Sequence, residues 1–176
     1  MTRRLIPFYR EMDKNNPGFT LFWDKNSGRV YKAYHKKVNQ LIYWISFALV
    51  LAVLRSIQSL DLPLGSPVIL TLLLLLELIA SFFIGRKFYK TYYFKELKEI
   101  FVDKAMFQDY LTSGKTMLKT DLIVTVSLLV VFALALVLFL LTYWIIWYLL
   151  SFLMLVLTDH MLCSFSRDRF KLYKHE

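Results

Sequence analysis

The sequence has few of the residues that interrupt or cross-link a chain. It contains one cysteine, Cys163, and no Asn-X-Ser/Thr glycosylation signal. A single cysteine excludes a disulfide framework within one chain. The 176 residues include five glycines and four prolines, and no glycine or proline lies in the interior of a long apolar run. We therefore expect unbroken helices in those runs, because Gly and Pro are the strongest helix breakers.

Charge is almost missing from three apolar runs, residues 41–54, 67–84 and 122–157. Hydrophobic residues make up 57% of the chain, above the roughly 45–50% of ordinary globular domains. A membrane-spanning helix needs about 20 apolar residues. The third run is about twice that length, which predicts two helices joined by a tight turn near Thr142. The sequence thus predicts four transmembrane helices in two hairpins, at about residues 40–58, 66–85, 121–141 and 144–160.

The predicted fold class is an all-α polytopic membrane protein. It comprises an N-terminal segment (residues 1–39), a four-span membrane domain (residues 40–160) and a tail (residues 161–176). In the N-terminal segment, two aromatic and β-branched runs flank "DKNSG" in "FTLFWDKNSGRVYKAY". This pattern is typical of a β-hairpin.

The polar segment between spans 2 and 3, residues 86–120, has a helical pattern. Its apolar residues Phe94, Leu97, Phe101 and Ala105 follow a helical spacing with charged residues between them. The pattern predicts a cytoplasmic amphipathic helix. Ser113-Gly114 is the predicted end of this helix, because glycine commonly follows a helix C-terminus.

The distribution of basic residues predicts the orientation in the membrane. Nine of the 22 Lys and Arg residues lie in residues 1–38, eight in 86–120 and four after residue 160. The short connections between paired spans have no Lys or Arg. Both termini and the central segment are therefore expected on the cytoplasmic side of a bacterial plasma membrane. No basic patch stands apart from these flanks, so nucleic acid is not an expected partner. The predicted interfacial anchors are aromatic: Trp23, Tyr143, Trp144, Trp147 and Tyr148.

No pattern of catalytic, metal-binding or cofactor-binding residues emerges. His160 and Cys163 share a helical face, but a closed zinc site usually needs four ligands. The "TSGKT" at residues 112–116 resembles the end of a phosphate-binding loop, yet Asp109 replaces the first glycine and no strand precedes it. We therefore expect no enzyme, no metal and no cofactor.

Glu77 and Arg55 are the only formal charges more than one residue from an end of a predicted span, and they form the candidate intramembrane polar site. Glu77 lies about 11 residues into span 2, near the middle of the bilayer, whereas Arg55 lies near the outer surface. An intramembrane carboxylate is costly and is a functional-site hypothesis by default. Glu77 is expected to be protonated, or to face a helix interface near Ser46, Thr125 or Ser127.

In outline, the chain resembles small multi-span bacterial immunity proteins, including those paired with membrane-depolarising secreted toxins. The resemblance lies in the length, in "FTLFWDKNSGRVYKAY" and in two span pairs separated by "RKFYKTYYFKELKEI". It implies a non-enzymatic protective factor that contacts a toxin in the membrane, and it assigns no site residue. The residues leave two alternatives open: an accessory subunit of a transporter or secretion complex, or a small oligomeric transporter or channel. The expected partners are lipid, another membrane protein or further copies of the chain.

Overall fold

The computed structural model describes residues 5–11, 18–35, 66–93 and 97–173, with six scattered residues between 41 and 56. The described residues form four strands and four helices. In chain order these are β1 (Leu5–Glu11), β2 (Phe19–Asp24), β3 (Val30–Tyr34), α1 (Pro67–Tyr93), β4 (Leu97–Ile100), α2 (Lys104–Thr142), α3 (Ile145–Leu162) and α4 (Arg167–Leu172).

The chain divides into two compact units. The first, called the sheet unit here, comprises Met1–Lys36, Arg86–Thr125 and His160–Glu176. The second, called the helical unit, comprises Lys37–Gly85 and Val126–Asp159. Helices α1, α2 and α3 each contribute residues to both units.

The four strands form one antiparallel sheet in the order β1-β2-β3-β4. The hairpin predicted from "FTLFWDKNSGRVYKAY" is present as β2 and β3. Its turn is held by Asp24, whose side chain accepts hydrogen bonds from the Asn26 backbone N–H and the Ser27 hydroxyl. Gly28 closes the turn at a φ of 70°, a left-handed conformation that glycine adopts without steric cost.

Both faces of the sheet are covered, because alternate residues of β2 and β3 pack in opposite directions. On one face, Leu21 and Val30 form a buried cluster with Leu111 and Leu118 of α2. On the other face, Phe22, Tyr31 and Ala33 pack around Tyr89 of α1. Burying each large apolar side chain stabilises the unit by about 1.5–3 kcal/mol. The strands, which would be marginal as a hairpin alone, thereby become part of a two-sided core.

The all-α prediction is wrong, because the chain contains this four-stranded sheet. Two of the strands were not predicted. The first, β1, contains Pro7 and shifts register between Pro7 and Tyr9, so it lacks a regular alternation. The other, β4, falls where a helix was predicted; its Leu97 and Ile100 pair with Ala33 and Val30 of β3.

The helix end predicted at Ser113-Gly114 is also wrong. Helix α2 runs through Gly114 without interruption. The reason for glycine is a close approach: a Cβ added at Gly114 would overlap the Phe8 carbonyl oxygen of β1 and lie 2.7 Å from the Tyr173 hydroxyl oxygen. Glycine here permits close packing rather than ending a helix.

Four membrane spans are not shown. Among the described residues, three helices are long and apolar enough to cross a membrane, within Pro67–Thr91, Lys104–Thr142 and Ile145–Leu162. These helices indicate a membrane-associated protein. The predicted span 40–58 lies almost entirely outside the described residues. The turn expected near Thr142 is observed: α2 ends there with Tyr143 at a φ of 53°, and α3 begins at Ile145.

Candidate functional site

Glu77 lies in the helical unit and is 2% exposed. It belongs to α1, and its Oε1 accepts a hydrogen bond from the hydroxyl of Ser151 on α3, with an oxygen-to-oxygen distance of 2.7 Å. The Ser151 oxygen also lies 2.8 Å from the backbone carbonyl oxygen of Tyr148. One hydroxyl proton is therefore shared between a carboxyl oxygen and a helix carbonyl. The contact joins α1 to α3, as expected of the helix-interface alternative.

A second polar contact joins the same two helices. The Tyr148 hydroxyl donates to the backbone carbonyl of Leu73 at 3.0 Å. The Tyr148 ring packs against Phe139 of α2, with ring centroids 5.3 Å apart. The Tyr148 ring is therefore buried among three helices, and its hydroxyl is held by a hydrogen bond to α1. It does not have the exposed position expected of an interfacial anchor.

The other carboxyl oxygen of Glu77, Oε2, is buried and has no hydrogen-bond partner among the described residues. A buried carboxyl group with one unsatisfied oxygen is costly in a low-dielectric setting. Arg55, its predicted companion, lies outside the described residues. The described residues provide the Glu77 carboxyl group with one hydrogen bond, from Ser151, and with apolar surroundings.

A second buried carboxylate, Asp121, lies in the sheet unit and is fully paired. Its Oδ1 is 2.7 Å from Arg10 Nη2, and its Oδ2 is 3.0 Å from Arg169 Nη2. Asp121 and Arg169 are 6% and 4% exposed. One carboxylate thus ties β1, α2 and α4 together. Such charge-assisted pairs are strong when both partners are desolvated and well oriented.

Further hydrogen bonds extend this network. The Tyr173 hydroxyl donates to the Phe8 carbonyl of β1. Burial raises the pKa of Tyr173, although the nearby Arg169 guanidinium lowers it, so the hydroxyl stays protonated and can donate. His35 lies 2.7 Å from the Thr20 hydroxyl, measured from Nε2 to Oγ1. Burial lowers the pKa of His35, and the positive charge of Arg10 lowers it further.

A cavity next to this network is too small for a substrate. Its volume is about 20 Å³, and Arg10, Asp121, His160 and Arg169 are among its lining residues. That volume is close to the space of one water molecule. Ligand pockets are roughly 300–1,000 Å³. The Arg10–Asp121–Arg169 network is therefore interpreted as a structural tie within the sheet unit.

The other predicted anchors have different environments. Trp23 is half-buried and packs against the Phe8–Leu21–Val30 cluster of the sheet unit. Tyr143 and Trp144 are exposed in the turn between α2 and α3, and Trp147 is half-buried. Interfacial anchoring of Tyr143 and Trp144 agrees with their exposure and stays a prediction.

The residues weighed for metal or nucleotide binding have structural roles. His160 stacks edge-to-face on Tyr89 at 5.8 Å, and Cys163 packs against the Phe22–Tyr31–Ala33 cluster. Among the described residues, no three His, Cys, Asp or Glu side chains are grouped as a metal would require. The "TSGKT" at residues 112–116 lies inside α2 rather than in a phosphate-binding loop.

Sequence reasoning missed Ser151 as the partner of Glu77. A usable signal was present on α3, where the buried residues Tyr148, Ser151, Leu155 and Thr158 recur at helical spacing. Small and polar residues on one face of an apolar helix mark its packed side. The Asp121 network had no comparable signal, since Arg10 and Asp121 are 111 positions apart.

Comparisons of the chain with protein families, curated proteins and solved structures found no match.

Proposed function

We propose that the protein is a non-catalytic membrane protein that protects a bacterial membrane by binding a membrane-active toxin through its apolar helices. The observation that carries this proposal is the buried Glu77–Ser151 contact at 2.7 Å. It ties α1 to α3 from the inside and gives the helical unit a defined surface. A preformed surface lowers the cost of binding, because fewer side chains must be ordered when a partner arrives.

The outward side chains of the helical unit are suited to contact with a membrane-inserted helix. They are large and apolar, and the most exposed on α1 and α2 include Leu72, Leu76, Phe83, Leu134 and Leu141. Helices associate in lipid through van der Waals packing of such surfaces rather than through the hydrophobic effect. The resemblance to immunity proteins supports the same role, with the sheet unit in the cytoplasm.

Photo-crosslinking tests the proposed contact surface. A benzoylphenylalanine residue is placed at Leu76 or Phe83, which are exposed on the helical unit, and at Met106, which is exposed on the sheet unit, as the control. The cells express a membrane-depolarising toxin, and a potential-sensitive dye reports protection. We expect crosslinks to the toxin from positions 76 or 83 only, in protected cells. Full protection without any crosslink from the helical unit would contradict the proposal.

Substitutions of Glu77 separate contact from ion movement. Glu77→Gln keeps an acceptor oxygen for the Ser151 hydroxyl, so we expect protection to persist. Glu77→Leu removes the acceptor and should weaken protection at an unchanged protein level. If Glu77→Leu protects fully at the normal level, the carboxyl group has no functional role. If Glu77→Gln alone abolishes activity, proton or ion movement replaces toxin contact as the function.

A second candidate function is an accessory or regulatory subunit. The observation that favours it is the folded sheet unit, which includes an apolar side chain, Phe101, that is 96% exposed. Purification of the chain with a transporter or secretion complex, and loss of that complex's activity on deletion, would support this alternative.

A further inference from the structure

The two edges of the sheet are protected very differently. Edge strand β1 contains Pro7, shifts register between Pro7 and Tyr9, and contacts helix α4. Proline, bulges and covering elements are the usual ways of blocking an edge against further pairing. Edge strand β4 pairs with β3 on one side, and no other described strand covers it. About half of its backbone N–H and C=O groups therefore point outward, and no described strand pairs with them.

An exposed aromatic residue and an open groove adjoin this edge. Phe101, directly after β4, is 96% exposed, the highest value of any large apolar residue described. A groove of about 620 Å³ is lined by Arg29, Glu99, Ile100, Phe101 and Val102, among others. A strand placed beside β4 and continuing past its end could bury Phe101.

The charge along β4 indicates an acidic occupant. Lys98 lies directly opposite Lys32 of β3, an unfavourable like-charge pair. The ammonium groups of Lys32 and Lys98 both lie over the Tyr34 ring, at 5.0 and 5.9 Å from its centroid. Glu99, the acidic residue of β4, is already paired with Arg29 at 3.0 Å. An acidic side chain on the far side of Lys98 would offset the repulsion between the two lysines.

A protein partner fits this position better than lipid, because only an extended chain can continue the hydrogen-bonded ladder of β4. We propose that the outer edge of β4, together with Phe101, is a docking site for an extended acidic segment of a partner protein. The segment adds to the sheet as a fifth strand.

Peptide selection tests the proposal on the full chain in phosphatidylcholine nanodiscs. A phage library of random nine-residue peptides is the probe. We expect enriched peptides to carry acidic residues at alternate positions, because alternate side chains of a strand face the same side. Enrichment of peptides without this acidic pattern, or no enrichment, would overturn the proposal.

An enriched peptide is then labelled and its affinity measured by fluorescence anisotropy. Lys98→Glu and Phe101→Ser should each weaken binding about 10-fold or more, as expected for central contact residues. The exposed controls Lys115→Glu and Met106→Ala should bind like the parent protein. Only every second backbone N–H of an added strand faces β4. N-methylation of that set of peptide amides should abolish binding, whereas N-methylation of the other set should not. Equal affinity for Lys98→Glu and the parent would contradict the acidic pairing.

Two further measurements distinguish partner docking at β4 from membrane contact and from toxin binding. The emission of Phe101→Trp should shift to the blue with the acidic peptide. A shift with phosphatidylglycerol vesicles instead would assign Phe101 to a membrane surface and overturn the proposal. Phe101→Ser should leave protection against a membrane-active toxin intact, so the docking site and the proposed function can fail independently. Unfolding midpoints for Lys98→Glu and Phe101→Ser at or above that of the parent protein would confirm that both variants are folded.

Discussion

The two units contain buried carboxyl groups in contrasting states. In the sheet unit, both oxygens of Asp121 are paired with guanidinium groups, from Arg10 and Arg169. In the helical unit, one oxygen of Glu77 accepts from Ser151 and the other has no described partner. The sheet unit therefore depends on charge to hold distant segments together. The helical unit tolerates a partly satisfied polar group within apolar packing.

The contrast indicates different uses for the two groups. Removing one partner of a buried ion pair is strongly destabilising, since it leaves an uncompensated charge. Removing a partly satisfied carboxyl group eliminates one hydrogen bond and one unsatisfied oxygen together. We therefore interpret Asp121 as a residue that stabilises the fold. Glu77 adds little stability, so its presence in an apolar helix needs a reason other than stability.

The largest expected effect is that of Asp121→Leu. The change leaves the guanidinium of Arg169 buried without its carboxylate, at a cost of about 3–5 kcal/mol. Hydrogen exchange of the β2 amides in detergent measures this loss locally. The matched change, Glu77→Leu, removes one hydrogen bond and should cost less than about 1.5 kcal/mol. Equal losses from the two variants would remove the distinction between the units.

An intermediate effect is expected from Gly114→Ala. The added methyl group would overlap the Phe8 carbonyl oxygen and crowd the Tyr173 hydroxyl. Overpacking of this kind costs about 1–3 kcal/mol, more than the helix propensity gained from alanine. The neighbouring Ser113→Ala, at an exposed position, is the control and should be neutral or slightly stabilising. Thermal unfolding of both variants provides the comparison, and a stabilised Gly114→Ala would show that β1 does not contact α2 this closely.

The smallest effect concerns pH. In the folded protein the pKa of His35 is below its ordinary value of 6.5, because of burial and the charge of Arg10. As pH falls below 6.5, the unfolded chain binds a proton that the folded protein does not, so the sheet unit loses stability. The loss ends once pH is below the folded pKa. Unfolding curves at several pH values should show a flatter dependence in His35→Gln, and an unchanged slope would exclude His35 as a contributor.

The long apolar helices and the β2–β3 hairpin could be predicted because their signals are local. Apolar length identifies the helices, and the turn residues around Gly28 identify the hairpin. Strand β4 was mistaken for a helix because Leu97 and Phe101 also satisfy a helical spacing. Its pairing with β3 joins residues more than 60 positions apart, and no local pattern encodes that pairing.

The candidate site could be predicted only in part, for the same physical reason. The isolation of Glu77 in a leucine-rich run is visible in the sequence. Its contact with Ser151 depends on how α1 and α3 are rotated about their axes, which composition does not determine. Gly114 is a further case: the sequence shows a helix breaker, whereas its purpose is the approach of Phe8 from the beginning of the chain.

The link between Phe8 and Tyr173 has a consequence for biogenesis. Their hydrogen bond joins residues 165 positions apart, and Arg10 and Asp121 are 111 apart. At about 5–20 residues per second, strand β1 is synthesised roughly 8–33 s before Tyr173. During that interval the apolar side chains of β1 lack their final partners, while the long apolar helices are still being made. Newly made chains should therefore depend on chaperones or on the translocation machinery to keep β1 from pairing elsewhere.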